Sequence, residues 1–194
     1  GEVCVGRSGV LDSLDPGSTR GLYGIFGNEK LASTPSDLRD PAYVGTSVGG
    51  MDTVMHLAAV TGASQSKRAR PATMDVNVHG TRNLVEALAE AEVGRFVFAS
   101  SCSVYGGTEA SDIDEHGCPK PLNPYAESKL KSEQDIEDWR SVEATSTTAL
   151  RLATLYGRAP GMRFNLVINK FVFRALTGRT LQVHGDGSSW RPYL

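Results

Sequence analysis

The chain is predicted to fold as an α/β domain with a parallel sheet and right-handed crossovers, on three observations. Short apolar runs rich in Val and Phe alternate with segments of helical period. A Pro-rich stretch at 118–124 delivers extended chain into a further helical segment, and an apolar run follows that segment. The 194 residues, 40% apolar and 22% charged with a net charge of −2, have the composition of one globular domain.

The first 50 residues hold ten of the 21 glycines and fit least well. Residues 2–9 (EVCVGRSG) read as a strand entering a Gly-rich turn, and 10–14 (VLDSL) as a second strand ending near an acid. A dinucleotide-binding fold places a whole helix between those features, whereas here Gly6, Gly9 and Asp12 stand three apart. Either the first helix is absent from this chain, or the sequence joins segments that are not adjacent in the parent protein. Residues 52–59 (DTVMHLAA) and 95–101 (RFVFASS) read as strands buried on both faces. Between them, 77–92 reads as a helix with Val78, Leu84, Val85, Leu88 and Ala91 on one side and Glu86 and Glu90 on the other. Gly94 is expected to supply the left-handed residue that closes this helix. The segment from Tyr125 to Trp139 reads as a helix that can bury Leu130, Ile136 and Trp139. Residues 147–155 (TTALRLATL) return as another buried strand.

Several function classes are disfavoured. A near-neutral charge argues against a nucleic-acid surface, and Lys67, Arg68 and Arg70 read as a solvated loop. The apolar run 54–60 is broken by His56 and is far below the roughly 20 residues of a membrane span. Cys4, Cys102 and Cys118 form no C-x-x-C pair, which suits a reduced, cytoplasmic protein. His56, His79, His116 and His184 share no ligand spacing, so no metal site is expected.

The chemistry concentrates in two segments. Tyr125 and Lys129 stand one helical turn apart on one face. An ammonium there is expected to lower the phenol from its ordinary value near 10, readying a tyrosinate to act as a base. Upstream, A-S-S-C-S-V-Y-G at 99–106 sets a hydroxyl cluster at the C-terminal end of a parallel strand, the end where ligands of open α/β sheets bind.

The ordered blocks D-L-R-D-P (37–41), H-L-A-A (56–59), N-V-H-G-T-R-N-L-V-E-A (77–87), F-V-F-A-S-S-C-S-V-Y-G (96–106), P-L-N-P-Y-A-E-S-K (121–129), L-R-L-A-T-L-Y-G (150–157) and G-D-G-S-S-W-R-P (185–192) resemble the NAD-dependent epimerase/dehydratase family of extended short-chain dehydrogenase/reductases. The resemblance implies a Rossmann-like doubly wound parallel sheet, incomplete at its N-terminal βα unit and its C-terminal substrate lobe. An NAD-binding domain is expected over 1–160 and the start of the lobe over 161–194. It implies that Tyr125 is the acid/base, that Lys129 holds the nicotinamide ribose, and that Ser101 bonds the reacting sugar oxygen, with Ser103 secondary. For the cofactor it implies the remnant turn at Gly6 and Gly9; Asp12, followed by Ser13 and Leu14, at the adenosine ribose; and Asp37 with Leu38 at the adenine. Leu57, Ala58, Ala59 and Thr61 would form the wall beside the pyrophosphate, oriented by Asn77. An acid at position 12 favours NAD over NADP by like-charge exclusion of a 2′-phosphate. Thr154, Asn169 and Arg191 are the further substrate-side residues, the arginine suited to a diphosphate. The implied partner is a nucleotide-diphosphate sugar, and a homodimer is compatible with the resemblance.

Dehydratases and decarboxylases of this family tend to carry acids just after the active-site hydroxyl, whereas this chain has Cys102 and Ser103. The expectation is therefore a 4-epimerase. A reductase or dehydrogenase of a keto-sugar or related alcohol is the alternative, and a non-catalytic NAD-binding relative or fragment the third reading.

Overall fold

The computed structural model describes residues 8–12, 31–107, 112–140, 144–160, 162–183, 185–186 and 192–194, with backbone only at 8, 11–12 and 31–35. Two parallel sheets are present among them. Strands β1 (Ser8–Asp12) and β2 (Leu31–Pro35) pair with Ser8 opposite Leu31 and Asp12 opposite Pro35. Strands β3 (Thr53–His56), β4 (Arg95–Ser101) and β5 (Ser146–Leu152) form a second sheet in the order β3-β4-β5. The expected parallel α/β arrangement is present, although the described strands form two sheets rather than one. Of the strand and Gly-rich turn expected over 2–9 only Ser8 and Gly9 are described, and they are corrected: both lie in β1, which runs straight on into the segment expected as a separate second strand at 10–14.

Helix α1 (Pro41–Val48) starts where Asp40 accepts a hydrogen bond from the Ala42 amide at 3.1 Å and Pro41 supplies a preset φ. Between β3 and β4 run α2 (Ala63–Arg68), α3 (Arg70–Met74), a π-helical turn (Asp75–His79) and α4 (Gly80–Glu90). The segment expected as a single helix from Asn77 is thus two geometries, and the π turn rotates Asn77 into the interior. The expected face of α4 is buried. Leu84, Val85 and Leu88 pack with Val44 and Val48 of α1 and with Phe96 and Phe98 of β4, each side chain contributing about 1.5–3 kcal/mol. Gly80 is required here, because a Cβ would stand 2.8 Å from that of Leu38.

Two expectations are corrected. The left-handed residue that ends α4 is Glu92, at φ 53°, not Gly94. It allows the Val93 amide to reach the Leu88 carbonyl at 3.2 Å, the closing bond of a Schellman-type end. Second, β5 is not buried: among the described residues it is an edge strand of its sheet, and Leu150 is exposed, as is Met55 of β3. Both strands also stop short of their expected ends, at His56 and Leu152, because the chain leaves the ladder there to form the site.

Candidate active site

The C-terminal ends of β3 and β4 and the first turn of α5 (Pro124–Arg140) converge on one open cleft. The prolines of 118–124 prevent regular structure until Asn123. Its side chain then caps the helix, accepting from the Ala126 amide at 3.0 Å. That cap fixes where the first turn begins, and so presents Tyr125 and Lys129 to the cleft.

Ser101, at the end of β4, leads into a 3-10 turn (Cys102–Tyr105). Its Oγ accepts from the Ser103 amide at 3.2 Å and from the Ser103 hydroxyl at 2.8 Å. With its acceptor side satisfied, its own proton is directed to Tyr125, and this hydrogen bond favours the phenolate. Burial works against it and is the larger effect, so the Tyr125 phenol lies above its ordinary value. The Cys102 thiol pushes it up further, while the Arg163 guanidinium pulls it down.

Lys129 is buried, and its Nζ donates to the Ala99 carbonyl at 2.7 Å while lying 4.6 Å from the centre of the Phe98 ring. Desolvation brings its pKa down to about 8, opposed by the charge of Glu133. The expected depression of the phenol by Lys129 is not what this geometry produces. The ammonium is turned to β4, and the charge that eases Tyr125 downward belongs to Arg163.

Asn77 is the hub behind the cleft. Its Oδ1 accepts from the Val60 amide at 2.8 Å, and its Nδ2 donates to the Val60 carbonyl at 3.0 Å and to Ser128 Oγ at 2.8 Å. Its own carbonyl accepts from Thr81 Oγ1 at 2.6 Å and Ser132 Oγ at 2.9 Å. One residue thus ties Val60, in the wall 57–62, to the helix bearing Tyr125. Thr81 in turn pairs with His56 Nε2 at 2.9 Å. His56 is buried against Phe96 and Phe98, and desolvation lowers its pKa to about 3.

The cleft brings together Ser101, Ser103, Tyr125, Lys129, Leu57, Ala59, Thr61, Thr154 and Asn169 of the expected residues. Ala58 is exposed beside them. Asp37 lies elsewhere, its carboxylate gripped by Arg39 Nε at 3.0 Å and Nη2 at 2.5 Å. Leu38 buries its side chain against Gly80. Asn169 spends its amide on backbone, accepting from the Gly157 amide at 3.1 Å and donating to the Arg163 carbonyl at 3.2 Å. Thr154 pairs through its backbone with the chain end, its amide donating to the Pro192 carbonyl at 3.2 Å. Gly9 lies in β1 and is exposed, and Asp12 ends that strand; Gly6, Ser13, Leu14 and Arg191 fall outside the described residues. Among the described residues no cluster of three metal-ligating groups occurs, and no helix is long and apolar enough to cross a membrane.

Sequence reasoning passed over Arg151, Glu133, Tyr105 and Arg163, all of which line the cleft. Two signals were available: a charge inside an apolar strand at Arg151, and Glu133 one turn beyond Lys129 on the same helix face.

A parallel α/β frame with Ser, Tyr and Lys gathered at the strand ends defines the extended short-chain dehydrogenase/reductase class. The chain belongs to the NAD dependent epimerase/dehydratase family, whose model matches residues 25–194. It is 32% identical over 188 residues to the human dTDP-D-glucose 4,6-dehydratase, covering 95% of this chain and 53% of that one. Among solved structures it is similar to the dTDP-glucose 4,6-dehydratase of Streptomyces venezuelae, solved with NAD bound, with a TM-score of 0.88 at 28% identity over 99% of this chain and 59% of that one. It is also similar to the UDP-glucose 4-epimerase of Thermotoga maritima, solved with UDP-glucose, with a TM-score of 0.81 at 25% identity over 96% of this chain and 60% of that one. The chain therefore spans between half and two-thirds of the length of these relatives.

Proposed function

We propose that the whole protein is a nucleotide-sugar 4-epimerase that uses NAD. The residues present fit the cofactor. Lys129 uses one of its three donors on Ala99, leaving donors for ribose hydroxyls. Leu57, 66% exposed, and Ala58 form an apolar ledge beside the pinned Val60. NAD, when bound, accepts a hydride from the sugar carbon and can return it, and its nicotinamide cation favours a phenolate nearby.

Tyr125 then takes the proton of the sugar 4-hydroxyl and later gives it back. Ser101, supported by two donors from Ser103, bonds the same oxygen as it becomes a carbonyl. Lys129 holds the ribose, and Asn77 holds the wall against which the cofactor rests. The observation that carries the 4-epimerase reading is the turn after Ser101. Its Cys102 and Ser103 supply no carboxylate, and Ser103 spends its hydroxyl on Ser101. Elimination of water across C5 and C6 needs a further acid and base, whereas exchange at C4 does not.

The full-length protein with NAD is expected to interconvert UDP-glucose and UDP-galactose, or a close pair, without consuming external NADH. Depletion of NADH in step with product identifies the reductase reading instead. Tyr125→Phe should lose at least about a hundredfold in kcat, the usual weight of a positioned acid/base; turnover within a few-fold of the parent would falsify the assignment.

A further inference from the structure

Glu133 lies outside the reacting groups assigned above, yet it joins every element that carries them. It sits one helical turn beyond Lys129 and two beyond Tyr125, so all three share a face of α5. Its carboxylate is shared between two neighbouring strands. Ser100 and Arg151 are Cα partners in the β4-β5 ladder, and both turn toward it. Ser100 Oγ donates to Glu133 Oε1. The Arg151 guanidinium forks onto the carboxylate, with Nε at 3.1 Å from each oxygen and Nη2 at 2.7 Å from Oε2. The other arm of Arg151 donates to Tyr105 Oη at 2.6 Å and to the Glu115 carbonyl at 3.1 Å. The Tyr105 hydroxyl donates a hydrogen bond to the Asp114 carbonyl at 2.8 Å, and its ring lies under the guanidinium.

These bonds tie α5 to the last residues of β4, to β5, and to Asp114 and Glu115, which line the cleft. The residues on either side of Ser100 do the work at the site: Ala99 receives the Lys129 ammonium, and Ser101 bonds Tyr125. The Glu133 side chain is only 10% exposed and that of Arg151 22%, so the pair is poorly screened by solvent. Removing one partner of such a pair leaves an uncompensated charge close to the site.

We propose that Glu133 is a positioning residue, whose carboxylate, bridged to Ser100 and Arg151, holds β4 and α5 in register and keeps the buried Lys129 ammonium charged. It rests on the reading of Ser101, Tyr125 and Lys129 given above. The groups around Lys129 are few enough to assign the effect. From α5 come Glu133 and Tyr125, from β3 the neutral His56, and from β4 only the Ala99 carbonyl and the Phe98 ring. From β5 comes Arg151, which Glu133 neutralises. Cys102 borders Tyr125 from the 3-10 turn.

The test is a titration that needs no turnover. In full-length protein carrying 13C-ε lysine, the resonance of interest is the one that Lys129→Arg removes. In the parent this resonance should titrate near pH 8, the value burial imposes. In Glu133→Gln, with the carboxylate gone and Arg151 left unpaired, the midpoint should fall by about one unit or more. Glu133→Asp keeps the charge but shortens its reach, so its midpoint should lie between the two. It serves alone if Glu133→Gln does not fold. A midpoint unmoved in a folded variant overturns the proposal. Because the readout is Lys129 itself, a failure of the epimerase assay leaves this result standing, and a failed titration leaves the epimerase assignment untouched.

Discussion

Replacing Asn77 by Ala should weaken both the fold and the cofactor site, by an amount the geometry bounds. Three side-chain hydrogen bonds disappear: two to Val60, at 2.8 and 3.0 Å, and one to Ser128 Oγ at 2.8 Å. Each contributes about 1 kcal/mol net, and any group left buried without a partner adds to the loss, so the expected cost is about 2–4 kcal/mol. The helix itself should survive, because Thr81 and Ser132 bond the backbone carbonyl of residue 77 rather than its side chain. What is lost is the tie between the wall 57–62 and α5. Urea unfolding of the full-length protein at pH 7 measures the first effect, and NAD titration by calorimetry the second, expected as a tenfold or greater fall in affinity, about 1.4 kcal/mol. Asn77→Asp is the sharper variant, since it keeps the shape but puts an oxygen against the Val60 carbonyl; it should cost no less than Ala. A loss below about 1 kcal/mol in Asn77→Ala, with NAD affinity unchanged, refutes the hub argument.

His56 is held neutral by burial, with its pKa down at about 3. Between the unfolded value near 6.5 and that figure the unfolded chain binds a proton that the fold does not. Stability therefore falls as pH drops through this window, by up to about 1.4 kcal/mol per unit. His56→Gln should remove about 2 kcal/mol of the stability lost between pH 7 and 5, read from urea midpoints; identical pH slopes in parent and variant refute the assignment. Gly106 has φ 70° and ψ −146°, and a Cβ there would overlap the Lys120 carbonyl oxygen. Gly106→Ala should lower stability by at least about 2 kcal/mol by displacing the segment that follows the 3-10 turn; a Tm within a degree of the parent counts against the strain argument.

The sequence showed most where one physical signal decides the structure. The apolar face of α4, the extent of β4 and the start of α5, to within a residue, follow from periodicity, from Val/Phe content and from the three prolines of 118–124, and the structure agrees at each. It showed less where two signals compete. Gly94 is the better residue for a left-handed position, yet the Schellman-type closure falls two residues earlier, at Glu92, because the length of α4 sets where the chain must turn. Residues 147–152 have the composition of a buried strand, but burial depends on what flanks the strand in space, and among the described residues β5 is an edge. The gathering of Ser101, Tyr125 and Lys129 at one cleft was legible from the motif order. The sign of the Tyr125 shift was not, because it is the balance of burial against one hydroxyl and one guanidinium from distant segments. The Glu133-Arg151 pair, 18 residues apart, was hidden for the same reason.

That balance bears on why the turn after Ser101 carries no acid. Tyr125 is already raised by burial and by the neighbouring Cys102 thiol, and only the Ser101 hydrogen bond and the Arg163 guanidinium oppose them. A carboxylate at 103 would replace a hydroxyl that donates to Ser101 with a group that can only accept, and would bring a full negative charge toward the phenol. Both changes raise the cost of forming a phenolate. The hydroxyl at 103 instead fills the acceptor side of Ser101, so that its proton remains for Tyr125 or for the substrate oxygen. Glu133, the carboxylate on the Tyr125 and Lys129 face of α5, is neutralised by Arg151 and Ser100. The cleft thus concentrates hydrogen-bond donors around the position of a reacting oxygen, an environment suited to moving one proton and one hydride at a single carbon.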